Sequence, residues 1–218
     1  MSRLFTYTIP IDDGAAPNPF KGLCTLAICK PRIRSAAEVG DWVAGLGAKA
    51  APSGDLSGRL VYAMKVDEKL TLEQYDTRCK TDWPSRIPMT QSLDLQERLG
   101  DCIYDYSSGS AKLRPSVHCE DNVETDLSGG NVLVANEFYY FGSKAIQLPD
   151  SLLDLCHQTQ GHKSNSNSKL FTPFVEWIRN QEYKPGLIHG WPDTIVDWQD
   201  GVASNGCNVR IQAANGDC

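Results

Sequence analysis

Two apolar stretches decide the fold of this chain: residues 42–47, WVAGLG, and residues 59–66, RLVYAMKV. Both are rich in β-branched, aromatic and aliphatic residues, a composition typical of strands. The loop between them, AAPSGDLSG (residues 50–58), holds the Gly, Pro and Ser residues of a hairpin connection. The sequence therefore predicts two adjacent strands joined by a hairpin.

Further strands and helices are predicted on both sides of this pair. Thr71 with Gln74 forms the capping box of a helix, and Ser35 with Glu38 forms a second candidate box. The pattern LFTPFVEWIRNQ predicts a later helix. Strand patterns occur in LFTYTIPID (4–12), LCTLAIC (23–29), RLVYAMKVDEKL (59–70) and NVLVANEFYYFG (131–142). We expect an α+β fold: a small bent mixed β-sheet or a β-barrel, with flanking helices.

Length and composition indicate one domain. The chain has 218 residues, of which 41% are hydrophobic and 22% charged, as in ordinary globular proteins. We expect the domain to span residues 1–198, and residues 199–218, rich in Asn, Gly and Asp, to be a poorly structured tail. Neither a membrane-helix pattern nor a secretory signal is present, so a cytoplasmic protein without a membrane partner is expected.

The charges are distributed unevenly along the chain. The net charge is −6, and residues 101–160 carry three basic and nine acidic groups. An acidic chain is a poor candidate for coating long nucleic acids. No acidic residue lies between Asp13 and Glu38, however, and four basic residues do. This basic window is the candidate phosphate-facing surface, with a solvated loop as the alternative.

The eight cysteines are expected to be reduced thiols, since no secretory segment accompanies them. No Cys-x-x-Cys pair occurs. His118-Cys119 and Cys156-His157 can supply four zinc ligands only if the fold brings them together. Ordinary buried cysteines are the preferred interpretation, and neither a metal nor a cofactor is predicted.

The densest motifs lie in residues 12–47, DDGAAPNPFKGLCTLAICKPRIRSAAEVGDWVAGLG. This string resembles the nucleotide modification associated domain family of the second type, and the likeness extends over residues 3–180. Members of that family accompany bacterial and phage systems that modify nucleobases. The resemblance implies an association with nucleotide or DNA modification and defence, and it assigns no reaction.

A weaker similarity concerns the Gly-Asp turn before WVAGLG and the following RLVYAMKV strand. This layout is similar to PUA-like domains (EVE or ASCH type), which are small bent β-barrels that bind RNA, DNA or single modified bases. The resemblance implies a cleft for a nucleotide or modified nucleobase, free or within DNA or RNA.

In such a cleft, an aromatic ring would stack on the base while fixed polar groups bind its edge. Asn18, between two prolines, offers both a donor and an acceptor, and it is expected to share one hollow with Trp42. Lys30 and Arg34 would meet a phosphate. The full ligand-binding set is Asp12, Asn18, Thr25, Arg34, Trp42, Tyr140 and Phe141. Core packing and turn formation are the alternative roles of these residues.

An enzyme that acts on a nucleobase is the second hypothesis. Cys24 would be the nucleophile, Asp13 a general base, and Lys30 a group that lowers the pKa of the thiol. No phosphate-binding Gly-rich loop, dinucleotide fingerprint or zinc-deaminase motif is present, which argues against ATP, nicotinamide and zinc-deaminase chemistry. A third hypothesis is an interaction module that docks its acidic face, residues 101–160, onto a partner protein.

Overall fold

The computed structural model describes residues 2–156 and 162–194, together with the backbone of residues 198–199 and 202–203. Apart from the backbone at 199 and 202–203, the predicted poorly structured tail lies outside the described residues. Among the described residues, no helix combines the length and apolar character needed to cross a bilayer.

The strands alternate with short helices along the chain. The strands are β1 (Leu4–Ile9), β2 (Cys24–Leu26), β3 (Trp42–Gly47), β4 (Arg59–Lys65), β5 (Glu68–Thr71), β6 (Tyr104–Asp105), β7 (Lys112–Leu113), β8 (Asn131–Ala135), β9 (Phe138–Tyr140), β10 (Ile146–Gln147), β11 (His162–Lys163), β12 (Leu187–Ile188), β13 (Trp198–Gln199) and β14 (Val202–Ala203). The α-helices are α1 (Pro31–Ala36), α2 (Leu72–Thr81), α3 (Leu95–Arg98), α4 (Val123–Ser128) and α5 (Phe171–Arg179). Short 3-10 segments cover Pro84–Arg86, Glu120–Asn122, Gly142–Lys144, Asp150–Leu155 and Asn165–Asn167.

Two sheets dominate the fold. The long sheet has the order β11-β1-β3-β4-β9-β12, with β10 also paired to β4, and the short sheet has the order β2-β8-β5. The hairpin predicted from WVAGLG and RLVYAMKV is present as the antiparallel pair β3–β4. Strands β1 and β3 run parallel, so the long sheet is mixed. Strands β6 and β7 form a separate pair.

The two longest strand patterns each divide between the sheets. Strand β4 ends in the long sheet and β5 begins in the short one, while β8 and β9 cross in the opposite direction. Asp67 lies at the first crossing, and its Oδ2 accepts hydrogen bonds from the backbone N–H of Asn136 (2.7 Å) and of Glu137 (3.4 Å) at the second. One carboxylate therefore fixes both crossing points.

The fold has four layers, which are α5 with the 150–155 segment, the long sheet, the short sheet and α2. A hydrophobic cluster fills each of the three spaces between them. The central cluster fills the space between the two sheets, with Tyr7 and Tyr62 from the long sheet and Leu133 from the short one. The outer cluster covers the other face of the long sheet beneath α5 and the 150–155 segment. The inner-helix cluster covers the other face of the short sheet beneath α2. The prediction of a bent mixed sheet with flanking helices is confirmed, whereas the described strands form no closed barrel.

The predicted helices α2 and α5 are present, whereas the predicted start of the helix near Ser35 is wrong. The Thr71–Gln74 capping box is present at the start of α2, with Gln74 N–H donating to Thr71 Oγ1 at 3.1 Å. The helix near Ser35 begins earlier than predicted, at Pro31, and Ser35 lies inside it. Proline at the first helical position has a φ already suited to the helix, so the start moves to Pro31. This shift leaves Cys29 and Lys30 in the turn that enters α1.

Candidate active site

Cys29 and Lys30 form a tight turn between β2 and α1. Both have left-handed backbone conformations, with φ of 55° and 41°. Such conformations are unfavourable for residues with a side chain, and they persist only where surrounding contacts enforce them. Here Arg34 Nε donates to the Cys29 carbonyl (2.7 Å), and the Cys29 N–H donates to Asp126 Oδ1 (2.8 Å). The turn thus holds the Cys29 side chain in a fixed direction.

The Cys29 side chain faces His118, which in turn faces Asp126. The Cys29 Sγ lies 3.5 Å from His118 Nε2, and His118 Nδ1 lies 2.5 Å from Asp126 Oδ2. The three residues are 7%, 4% and 1% exposed, respectively. If Nδ1 carries the proton that is donated to Asp126, Nε2 presents its lone pair to the thiol. The order thiol, imidazole, carboxylate is that of an activated cysteine nucleophile.

Asp126 is equipped to orient His118. Its Oδ2 also accepts a hydrogen bond from the Tyr104 hydroxyl at 3.0 Å. Burial alone would raise the pKa of Asp126, but the hydrogen bond and charge of His118, the Cys29 N–H and the nearby Arg34 outweigh it and hold the pKa below its usual value. The group is therefore a carboxylate at neutral pH, and it would stabilise the imidazolium that forms when His118 accepts a proton.

The same three residues form the one candidate metal group within the described part of the chain. Asp126 contacts the Nδ1 side of the imidazole, whereas Cys29 contacts the Nε2 side. One ligand atom from each of the three residues lies within 4.8 Å of the others, so the group has the three protein ligands that catalytic zinc sites use. Because His118 Nδ1 and Asp126 Oδ2 are in direct hydrogen-bond contact, we interpret the group as a thiol–imidazole–carboxylate arrangement.

Of the four metal ligands considered from the sequence, the three within the described residues do not form one group. His118 belongs to the inner helix side, where Cys119 Sγ contacts Asn122 Oδ1 (3.7 Å). Cys156 packs against the outer cluster, on the far side of the long sheet. His157 lies outside the described residues. His118 and Cys156 thus occupy different layers of the fold.

Asn18 and Thr25 belong to a buried polar network around Arg86. The Arg86 Nη1 donates to Asn18 Oδ1 (2.7 Å) and to Thr25 Oγ1 (2.8 Å), while Nη2 donates to the carbonyls of Phe20 and Leu23, each at 2.7 Å. Asn18 Nδ2 donates to the Leu99 carbonyl at 2.8 Å. These side chains hold the 18–25 loop in place, and their polar atoms are engaged within the protein.

Asp101 completes this network from the opposite side. It accepts hydrogen bonds from the Thr25 hydroxyl and from the Tyr75 hydroxyl, the latter at 2.7 Å. Burial raises the pKa of Asp101, while the charge of Arg86 and the two hydroxyl groups oppose the rise. Asp101 and Asp126 therefore face the interior, although both belong to the segment that was considered as an acidic docking face.

Asp12, Asp13 and Tyr140 shape the neighbouring loop. The Tyr140 hydroxyl lies 2.7 Å from each carboxylate oxygen of Asp12 and donates to that group. Burial raises the pKa of Asp12 to about 7, although the Tyr140 hydrogen bond opposes the rise. Asp13 Oδ1 accepts from the Ala15 N–H at 3.0 Å, as in an Asx turn. All three side chains are buried.

Trp42 and Phe141 lie on the outer face of the long sheet. The Trp42 ring packs edge-on against Phe174 of α5, with ring centroids 6.2 Å apart, and Phe141 stacks on His189 at 5.4 Å. Asn18, by contrast, pairs by its backbone with Thr25 of the short sheet, and its side chain binds Arg86 and the Leu99 carbonyl on the side of the inner-helix cluster. The central cluster and the long sheet therefore separate it from Trp42. The expected hollow shared by Asn18 and Trp42 is therefore wrong: one side chain packs beneath α5 and the other binds Arg86.

Cys24 and Arg34 are also placed differently from the predicted site. Cys24 is completely buried, its Sγ lies 3.9 Å from Met64 Sδ, and burial raises the pKa of the thiol far above its usual range. These properties are opposite to those of a nucleophile. Arg34 is buried and donates to the carbonyls of Cys29, Asn131 and Asp126 at 2.5–2.7 Å, so it is engaged in structure rather than directed to a phosphate.

Lys30 differs from every other predicted site residue because its side chain is only half-buried. Its Nζ lies 4.9 Å from the centroid of the Tyr7 ring. It follows Cys29 directly in the chain. Together with Arg34, which donates to the Cys29 and Asp126 carbonyls, it is one of two predicted site residues that adjoin the thiol–imidazole–carboxylate group.

Sequence reasoning missed Cys29 and Asp126 as site residues. Cys29 lies 89 residues from His118 and 97 from Asp126, so no local spacing links them. The one usable signal was the Cys-Lys-Pro that follows an apolar strand, since proline marks a helix start directly after a cysteine. His118 was considered only as a metal ligand.

A family model described as nucleotide modification associated domain 2 matches residues 1–199. Searches of curated proteins and of solved structures returned no match.

Proposed function

Since this chain belongs to the nucleotide modification associated domain 2 family, we propose that it is a cysteine-dependent enzyme that acts on a nucleotide or modified base. Cys29 is the nucleophile, His118 the general base and Asp126 the residue that orients His118. The observation that carries the proposal is the continuous Cys29–His118–Asp126 chain of contacts. Like the second hypothesis from the sequence, this proposal is an enzyme with a cysteine nucleophile, but the nucleophile is Cys29 instead of Cys24.

The proposed chemistry is transfer or hydrolysis of an acyl, ester or amide group. His118 Nε2 takes the proton of the Cys29 thiol, and the thiolate attacks the carbonyl carbon to form a C–S bond. The protonated His118 then gives its proton to the leaving nitrogen or oxygen as that bond breaks. Water, deprotonated by His118, cleaves the resulting thioester and returns the thiol. Atoms and charge balance without a cofactor.

The substrate class and setting rest on the family. Its association with nucleotide modification supports a nucleotide or modified nucleobase as the ligand, and a role in bacterial or phage DNA modification or defence belongs to the same proposal. A reducing compartment such as the cytoplasm is part of it too, since the mechanism needs a free thiol.

Binding of a nucleotide or modified base without turnover is the second candidate. It is favoured by the Cys29 N–H, which is already bound to Asp126 Oδ1 at 2.8 Å. A backbone N–H beside the nucleophile commonly stabilises the oxyanion in acyl transfer, and this one is engaged elsewhere.

The test is alkylation of the full-length protein by iodoacetamide at pH 7, with each cysteine followed by peptide mass spectrometry. We expect Cys29 to react about tenfold faster than it does in His118→Gln, because the imidazole raises the thiolate fraction. Cys156, half-buried and in another layer, is the internal control and should react equally in both proteins. Equal Cys29 rates in the two proteins, or an unreactive Cys29 beside a reactive Cys156, would contradict the proposal.

A further inference from the structure

The four cations between Asp13 and Glu38 differ in their contacts and in their exposure. Lys21 Nζ is paired with Asp94 at 3.0 Å, and Arg34 is buried against backbone carbonyls. Arg32 is exposed on α1. Among the described residues, no carboxylate lies within ion-pair distance of Lys30, although Lys30 is half-buried next to the nucleophile. Lys30 Nζ lies over the Tyr7 ring, and Cys29 is close enough to Tyr7 to raise the pKa of that hydroxyl, so Lys30 adds positive potential to the region that holds the thiol.

Tyr7 holds this cation in place. The Lys30 Nζ lies 4.9 Å from the centroid of the Tyr7 ring, a distance at which the ring face attracts a cation. The ring itself is fixed, because the Tyr7 hydroxyl shares a hydrogen bond of 3.0 Å with the Tyr62 hydroxyl. An aromatic face attracts an ammonium group without neutralising its charge, so the positive potential remains available to a ligand.

The Asp126 carboxylate does not neutralise the charge of Lys30. Asp126 is engaged by the Cys29 N–H, His118 Nδ1 and the Tyr104 hydroxyl. The mechanism proposed above uses Cys29 and His118 but gives Lys30 no role. The unassigned group next to the nucleophile is therefore a single ammonium, which binds a phosphate as a point charge.

We infer that the substrate at Cys29 carries a phosphate bound by Lys30, so that the enzyme acts on a nucleotide rather than on a free base or nucleoside. This inference rests on the proposed function and narrows it. The phosphate can belong to a mononucleotide or to a nucleic acid strand. The net charge of −6 opposes the approach of a long polyanion, and a mononucleotide is the form that the charges favour.

The first experiment measures charge selectivity at Cys29 itself. The full-length protein is alkylated with neutral iodoacetamide and with anionic iodoacetate, and the ratio of the two Cys29 rates is compared between the wild type and Lys30→Met. We expect the variant to lower the iodoacetate-to-iodoacetamide ratio by about threefold at low salt, and added salt to reduce the difference. Lys169→Met is the matched control, because Lys169 is an exposed lysine that precedes α5, on the far side of the long sheet.

The second experiment identifies the source of the phosphate. The probes are the four common deoxynucleosides, their 5′-monophosphates, inorganic phosphate and a mixed-sequence single-stranded hexamer, each tested for protection of Cys29 from iodoacetamide. Protection by the monophosphates, absent with the nucleosides and lost in Lys30→Met, supports the inference. Equal protection by nucleosides and monophosphates overturns it, as does an unchanged alkylation ratio in Lys30→Met. Protection by the hexamer alone assigns the phosphate to a strand.

The activated thiol and the phosphate at Lys30 can be refuted independently. An iodoacetamide rate at Cys29 that does not depend on His118 refutes the activated thiol, whatever Lys30 does. A rate that depends on His118, combined with a charge ratio insensitive to Lys30, keeps the activated thiol and refutes the phosphate.

Discussion

Asp12 gives the structure a measurable dependence on pH. Burial raises its pKa from the ordinary value of 3.8 to about 7, so the folded protein binds this proton more tightly than the unfolded chain does. The difference corresponds to about 4 kcal/mol, at about 1.4 kcal/mol for each tenfold change in proton affinity. Replacing the group by a neutral amide, Asp12→Asn, removes the titration and keeps an oxygen that can accept from Tyr140.

The direction in which the free energy of unfolding changes with pH follows from the pKa of Asp12 in the folded and in the unfolded state. Below pH 3.8 both states carry the proton, and above about 7 neither does. Between these values only the folded state is protonated, so the free energy of unfolding decreases as the pH rises. We therefore expect the wild-type value minus the Asp12→Asn value to fall by about 4 kcal/mol between pH 4 and pH 8, with a steepest slope of about 1.4 kcal/mol per pH unit.

Urea unfolding at pH 4, 6 and 8 measures this difference, since titrations elsewhere in the protein cancel between the two proteins. A second variant, Tyr140→Phe, checks the cause. The Tyr140 hydroxyl lowers the pKa of Asp12, so its loss should move the fall to higher pH. A difference that stays flat, or that rises with pH, would refute the assignment of a buried carboxyl that is neutral under mildly acidic conditions.

Two substitutions test the buried layers. Arg86→Met removes five hydrogen bonds to the 18–25 loop and leaves Asp101 buried without its cation, so urea unfolding should show a loss of about 3–5 kcal/mol. The exposed control Arg32→Met should stay within about 0.5 kcal/mol. Trp42→Ala empties the space against Phe174 and should cost about 3–5 kcal/mol. Because Trp42 lies in the outer layer, the alkylation rate of Cys29 in the folded variant should be unchanged; a large drop would show that Trp42 contributes to the site.

The elements that the sequence predicts correctly are those whose signals come from residues close together in the chain. The capping box at Thr71 and the hairpin after Gly47 each depend on residues close in sequence, and both are present. The pattern over residues 59–70 misled because it is continuous, whereas the strand changes sheets near Asp67. That change depends on a hydrogen bond to Asn136, 69 residues away, which periodicity cannot reveal.

The candidate site was predicted less well, for a related reason. The window of residues 12–47 does contain Cys29 and Lys30, but aromatic and polar residues in it were interpreted as ligand-binding when most are buried. Asn18 illustrates the ambiguity: the rigidity that suits a base-binding amide also suits a loop residue that binds a buried arginine. His118 and Asp126 complete the site from a segment whose acidity indicated an exposed face, and only the folded chain brings them to Cys29.

The double crossing at Asp67 constrains how this domain can be divided. Two of the three strands of the short sheet lie directly next to a strand of the long sheet along the chain: β5 follows β4, and β8 precedes β9. Neither sheet is thus a separable module, and a cut at either crossing would leave each fragment with edges that only the other can cover. Deletion mapping that trims this protein from within should therefore yield insoluble pieces rather than minimal working fragments, and the chain is expected to be inherited and recombined as one indivisible block.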